Sequence, residues 1–165
     1  MELFTNTYDP VAANAIRLRP IIFVPGMPSW RSARYSPQHG GYLVPDTVNT
    51  AGLRSSLAIA DARAEHSGSA GALGARCPER AASARLIALE DLAAAMVAAD
   101  GGVEGAAFLL GVERDMLVVR LDTLGTRERR HFEQLTTECR RDRGGRVLLL
   151  RTRLELASAT WCHVS

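Results

Sequence analysis

Apolar and polar positions follow three rhythms along this chain: helical spacing, short unbroken apolar runs and, near the C-terminus, partial alternation. Asp9-Pro10 is a helix start, because Asp can cap and Pro suits the first turn; it predicts a short helix over 11–19 that Pro20 ends. Ile21-Ile22-Phe23-Val24 is a β-rich run stopped by Pro25-Gly26 and reads as a strand. Residues 31–35 and 41–44 flank the turn-rich Ser36-Pro37-Gln38-His39-Gly40, the pattern of a hairpin. Leu53, Leu57, Ala60 and Ala64 recur at helical spacing and predict a helix over 50–65. Residues 67–75 are a glycine-rich loop.

The alanine-rich stretch 79–100 follows, helical with a bend near Ala88-Leu89 and broken by Gly101-Gly102. Two short helices, 103–110 and 113–124, surround Gly111. Thr126 is positioned to cap a further helix reaching about residue 141. Asp142-Arg143-Gly144-Gly145 marks a turn, 147–150 a strand, and 152–157 its extension or partner. No internal repeat or low-complexity linker intervenes. The pattern predicts an α+β chain with three parts: a core over 1–100, a helical part over 101–142 and a strand or tail over 143–165.

Composition adds limits. With 165 residues and 47% apolar positions the chain can bury one real core, and 5% aromatics means that core is aliphatic and alanine-rich. A net charge of +2 does not by itself signal a nucleic-acid or membrane surface. All 20 basic residues are arginine, which reads as GC-rich coding, such as that of an actinobacterium or its phage. Cys77, Cys139 and Cys162 are odd in number and form no CxxC pair, so reduced thiols are expected. The N-terminus lacks the pattern of a secretion signal, and no apolar stretch approaches the roughly 18 residues of a spanning helix. The expectation is a cytoplasmic protein without membrane contact.

Several stretches together resemble the ImmA/IrrE family, in particular its small actinobacterial and phage-associated members. Tyr8-Asp9-Pro10 matches a Tyr-x-Pro near the start. The helix from Arg54 through Leu57-Ala58 follows the beginning of R-x-x-L-A-H-E-x-x-H, and Ala84-Arg85-Leu86-Ile87-Ala88-Leu89-Glu90-Asp91-Leu92-Ala93 follows A-R-L-I-P-x-E-x-L-A. Ala106-Ala107-Phe108-Leu109-Leu110-Gly111-Val112, Met116-Leu117 and Arg120-Leu121 follow a helix pair of the same family. The resemblance covers about residues 8–135 and implies a zincin-like fold.

Family chemistry depends on two histidines at i and i+4 that bind zinc and a glutamate that activates water. In this register the first histidine falls on Ile59, the glutamate on Ala60 and the second histidine on Arg63. None of the three can do that chemistry, and Arg63 puts a fixed cation where zinc would sit. Glu79 is the nearest candidate for the acidic third ligand, with Cys77 at a similar offset. The chain holds no HExxH or HxxxH anywhere. The expectation is an inactive relative with no cofactor and no catalytic residue. What the family implies for partners is an Xre-type repressor or related regulator.

Two other classes compete. A relocated metal site would draw on Asp61, Glu65, His66, Cys77 and Glu79; the plainer reading is solvated charge on an amphipathic helix, and it is favoured. His39, His131 and His163 are isolated and read as surface residues. Residues 103–124 have helix-turn-helix spacing, which makes DNA binding the rival function, with Arg114, Arg120, Arg127, Arg130, Arg140 and Arg141 as candidate DNA or partner contacts. Yet Glu113-Arg114-Asp115 opens the second helix with surplus acid, so a structural hairpin is favoured there. The basic region after Gly125 is equally accounted for by a solvated helix face balanced by Glu128, Glu133 and Glu138. The partly alternating stretch 146–156 is the candidate edge for a homodimer or partner contact. No G-x-S-x-G and no phosphate-cradling loop is present.

Overall fold

The computed structural model describes residues 8–28, 33–67 and 78–141, and the predicted elements over 143–165 lie outside them. The chain is α+β and divides into two compact units at Leu86/Ile87, rather than after residue 100. No helix among the described residues is long and apolar enough to cross a membrane.

The first unit opens with α1 (Pro10–Ile16). Asp9 caps it as expected, its carboxylate accepting from the backbone of Val11 at 3.0 Å and Ala12 at 3.5 Å. The helix ends earlier than predicted, through a Schellman closure in which Arg19 N–H bonds Asn14 carbonyl (2.9 Å) and Leu18 N–H bonds Ala15 carbonyl (3.1 Å). Leu18 therefore takes the left-handed seat, φ 53°, that glycine usually fills. A side chain with a Cβ costs about 1 kcal/mol there.

Strand β1 (Ile21–Val24), β2 (Arg34–Ser36) and β3 (Gly41–Pro45) make a sheet in the order β1-β3-β2. The expected hairpin is present as antiparallel β2 and β3, with Tyr35 opposite Tyr42, while β1 runs parallel to β3. Gly41 is required where β3 starts, since a Cβ there would lie 2.2 Å from the Pro20 carbonyl oxygen, the acceptor for Tyr42 N–H.

Helix α2 (Thr50–Ser67) fills the predicted span and is buried on nearly all sides from Gly52 to Ala62. Small residues permit this, because Ser55, Ser56, Ala58, Ala60 and Ala62 let neighbours approach the backbone. With Ala33, Tyr42, Val44, Leu53 and Leu57, Ala60 forms the core of this unit. Helix α3 (Pro78–Leu86) packs against α2.

The predicted bend at Ala88-Leu89 is a full break between α3 and α4 (Leu89–Ala98), because Ala88 is extended at ψ 150°. The second unit continues with α5 (Val103–Leu110), α6 (Arg114–Asp122) and α7 (Thr126–Arg141). Helix α4 is its centre, packing on both α5 and α7 through a face of alanines, Leu92 and Val97. Gly111 at φ 61° closes α5 and turns the chain into α6, as the sequence spacing required. Thr126 turns out to be the first helical residue of α7 rather than its cap. The exposed N–H of Gly125 is instead taken by the Glu128 carboxylate at 3.1 Å, half of a capping box.

Candidate functional site

Helix α2 carries the two arrangements that bear on function, on different parts of its surface. At the positions where the resemblance would set the zinc motif, Ile59 is half-buried, Ala60 is buried in the core and Arg63 is exposed. Ile59 and Arg63, four residues apart, share a face. Arg63 reaches across to α3, where its Nη2 donates to Oε1 of Glu79 at 3.0 Å. The residues that the family register sets at the second histidine and the acidic third ligand are therefore in contact.

Between Ile59 and Arg63 in sequence but on another side of the helix, Asp61 is 1% exposed and is the centre of a polar network. Its Oδ2 accepts from the Tyr8 hydroxyl at 2.5 Å and from Nδ2 of Asn14 at 3.3 Å, and its Oδ1 accepts from the Tyr42 hydroxyl at 2.6 Å. Nη1 of Arg17 and of Arg19 lie 3.8 and 3.7 Å from Oδ1, close enough for charge but too far for a hydrogen bond. Asn14 is itself buried, and its Nδ2 also donates to the Pro10 carbonyl at 2.8 Å, which fixes the amide orientation. Burial and then the bond to Asp61 push the Tyr8 hydroxyl well above its ordinary range and raise Tyr42 to about 12. Both phenols are thus held protonated as donors to the carboxylate.

Of the five residues proposed as a relocated metal site, the three whose side chains are described each have another partner. Asp61 is committed to the tyrosines, Glu65 is paired with Arg85 through both carboxylate oxygens, and Glu79 is paired with Arg63. Cys77 and the side chain of His66 lie outside the described residues. Among the described residues no group of three or more His, Cys, Asp or Glu side chains could hold a metal ion.

The candidate arginine contacts divide as well. Arg120 is 5% exposed, with Nε donating to the Ile87 carbonyl (3.2 Å) and Nη2 to Glu128 (3.0 Å). It is buried within the second unit and is no surface contact, which corrects the expectation. Arg114 is exposed but tied to Glu104 at 2.9 Å and to Asp115 at 3.6 Å. Arg127, Arg130, Arg140 and Arg141 are exposed along α7. At 100° per residue Arg127, Arg130 and Arg141 share one outer face, opposite buried Leu135 and Cys139.

Sequence reasoning took Asp61 for a solvated charge or a metal ligand and passed over Asn14, Arg17, Arg19 and Tyr42. One signal was available: Asp61 sits four residues after Leu57 and next to Ala60, on the apolar face of the helix. Against known proteins, the chain matches no family model, and no curated protein and no solved structure matches it.

Proposed function

We propose that this chain is a catalytically inactive, ImmA/IrrE-like protein that works by binding another protein, such as an Xre-type repressor of a phage or mobile element. The observation that carries the reading is the Arg63–Glu79 ion pair on Ile59-Ala60-xx-Arg63. It puts two family-register positions in contact while leaving neither a lone pair from histidine nor a base to activate water. A binding role accounts for large apolar side chains left outside both cores: Ile16 and Leu18 are 83% and 88% exposed, and Phe108 is 80% exposed. Co-purification with an Xre-type helix-turn-helix repressor tests the reading. A complex of defined stoichiometry with the repressor left uncut is expected; cleavage of the repressor would contradict it.

A second reading, a DNA-binding regulator, draws on the exposed arginines of α7. It draws little from the α5–α6 hairpin, where Glu113 and Asp115 open the second helix and Arg120 is buried. A gel shift whose salt dependence reports several phosphate contacts would favour it.

A further inference from the structure

We infer that the exposed turn Ile16-Arg17-Leu18-Arg19, where α1 ends, is a docking site for a protein segment that carries carboxylates beside an apolar side chain. The inference deepens the reading of this chain as a binding protein and rests on it.

Three observations meet at this turn. Leu18 occupies the left-handed seat of a Schellman closure, φ 53°, and is 88% exposed. The chain thus holds a leucine where glycine would fit without strain, and that leucine covers little of its own protein. Ile16, on the other side of Arg17, is 83% exposed. Lone exposed apolar residues are ordinary, and here two stand within three positions of each other, one of them in a strained conformation.

The arginines supply the charge. Both Arg17 and Arg19 are drawn to a single buried oxygen, Oδ1 of Asp61, at 3.8 and 3.7 Å, while the short bond to that oxygen comes from the Tyr42 hydroxyl. Asp61 therefore anchors two cations by charge, Arg19 gives one N–H to the Tyr42 hydroxyl at 3.4 Å, and among the described residues their other N–H donors are left for another acceptor. Arg19 is further steadied over the Tyr35 ring, 5.6 Å from its centroid. Two fixed guanidiniums sharing one carboxylate leave a net positive charge, and the complement is a carboxylate able to bind in bidentate fashion. Arginine with adjoining apolar anchors is also the composition of energetic hot spots between proteins. A nucleic acid fits less well, since a phosphate track rewards a row of cations rather than two cations set between aliphatic side chains.

Selection of a random-peptide display library on the full chain, followed by fluorescence anisotropy with the selected peptides, tests this. Enriched peptides are expected to set Asp or Glu next to Leu, Ile or Phe. Arg17→Gln with Arg19→Gln should weaken them about tenfold or more. Leu18→Gly should weaken them too, yet raise the melting temperature, an outcome that a purely structural role for Leu18 cannot give. The proposal is overturned if no peptide is enriched, if enriched peptides are basic or uncharged, or if these variants bind as the parent does. It is also overturned if a DNA duplex competes the peptides from the same arginines, or if sedimentation shows self-association that Leu18→Gly abolishes. Stoichiometric zinc in the purified protein would instead overturn the underlying reading of the chain, whatever the peptides do.

Discussion

The first unit buries Asp61 and the second buries Arg120 as well as Asp91, and Asp61 and Arg120 are opposite in sign and in how they are satisfied. Asp61 in the first unit is an anion met by side chains remote in sequence: Tyr8, Asn14 and Tyr42 donate, and Arg17 and Arg19 add charge. Arg120 in the second is a cation met by a backbone carbonyl, that of Ile87 33 residues earlier, and by Glu128 eight residues on. A buried ion is tolerated only when its hydrogen-bonding capacity is filled. The first unit does this by folding three separate segments around one carboxylate, so its polar centre and its topology depend on each other. The second attaches its arginine to a helix break and a helix cap that would exist without it.

That contrast ranks the expected effects. Asp61→Ala leaves three donors without their acceptor and two cations without their counterion, and should cost about 3–5 kcal/mol in chemical denaturation. Arg120→Met keeps the aliphatic stem, strands one carbonyl and loosens Glu128, and should cost about 2–3 kcal/mol. If Arg120→Met proves the more damaging, the contrast fails.

Tyr42→Phe removes one bond to Asp61 and should cost about 1–2 kcal/mol at neutral pH. It also carries a pH signature. The Tyr42 hydroxyl is raised from 10.0 to about 12 on folding, so its contribution is fully present below pH 10 and is lost as pH climbs toward 12. The parent should lose stability across that window, and Tyr42→Phe should lose less of it, as read by melting temperature against pH. Smallest of all, Arg63 and Glu79 are substantially exposed, and a double-mutant cycle between Arg63→Ala and Glu79→Ala should give a coupling below about 1 kcal/mol.

The legibility of these features followed their locality. Asp9-Pro10, the β-rich 21–24 run, the Gly111 turn and the helical spacing of Leu53 and Leu57 act through neighbouring residues, and the structure has each of those elements where the pattern put it. The break at Ile87-Ala88 was only half visible, because alanine is a good helix former and nothing local demands an extended Ala88. The hydrogen bonds of Asp61 span 19, 47 and 53 residues, and no periodicity carries such information. Arg120 was misread for a related reason. A helical arginine beside Leu117 and Met116 reads as a snorkelling surface residue until a carbonyl from a helix break is placed against it. The Arg63–Glu79 contact spans 16 residues between α2 and α3, and spacing along the chain did not predict it.

Zinc binding tests the proposed zincin reading of α2 most directly. Ile59→His with Arg63→His restores two histidines four residues apart, with Glu79 opposite as third ligand. The parent is expected to purify without stoichiometric zinc, and the double variant to bind it tightly and lose it again when Glu79→Gln is added. Stoichiometric zinc in the parent, or none in the double variant when it is folded and zinc is supplied, would contradict the claim that α2 is a zincin helix whose ligands have been replaced.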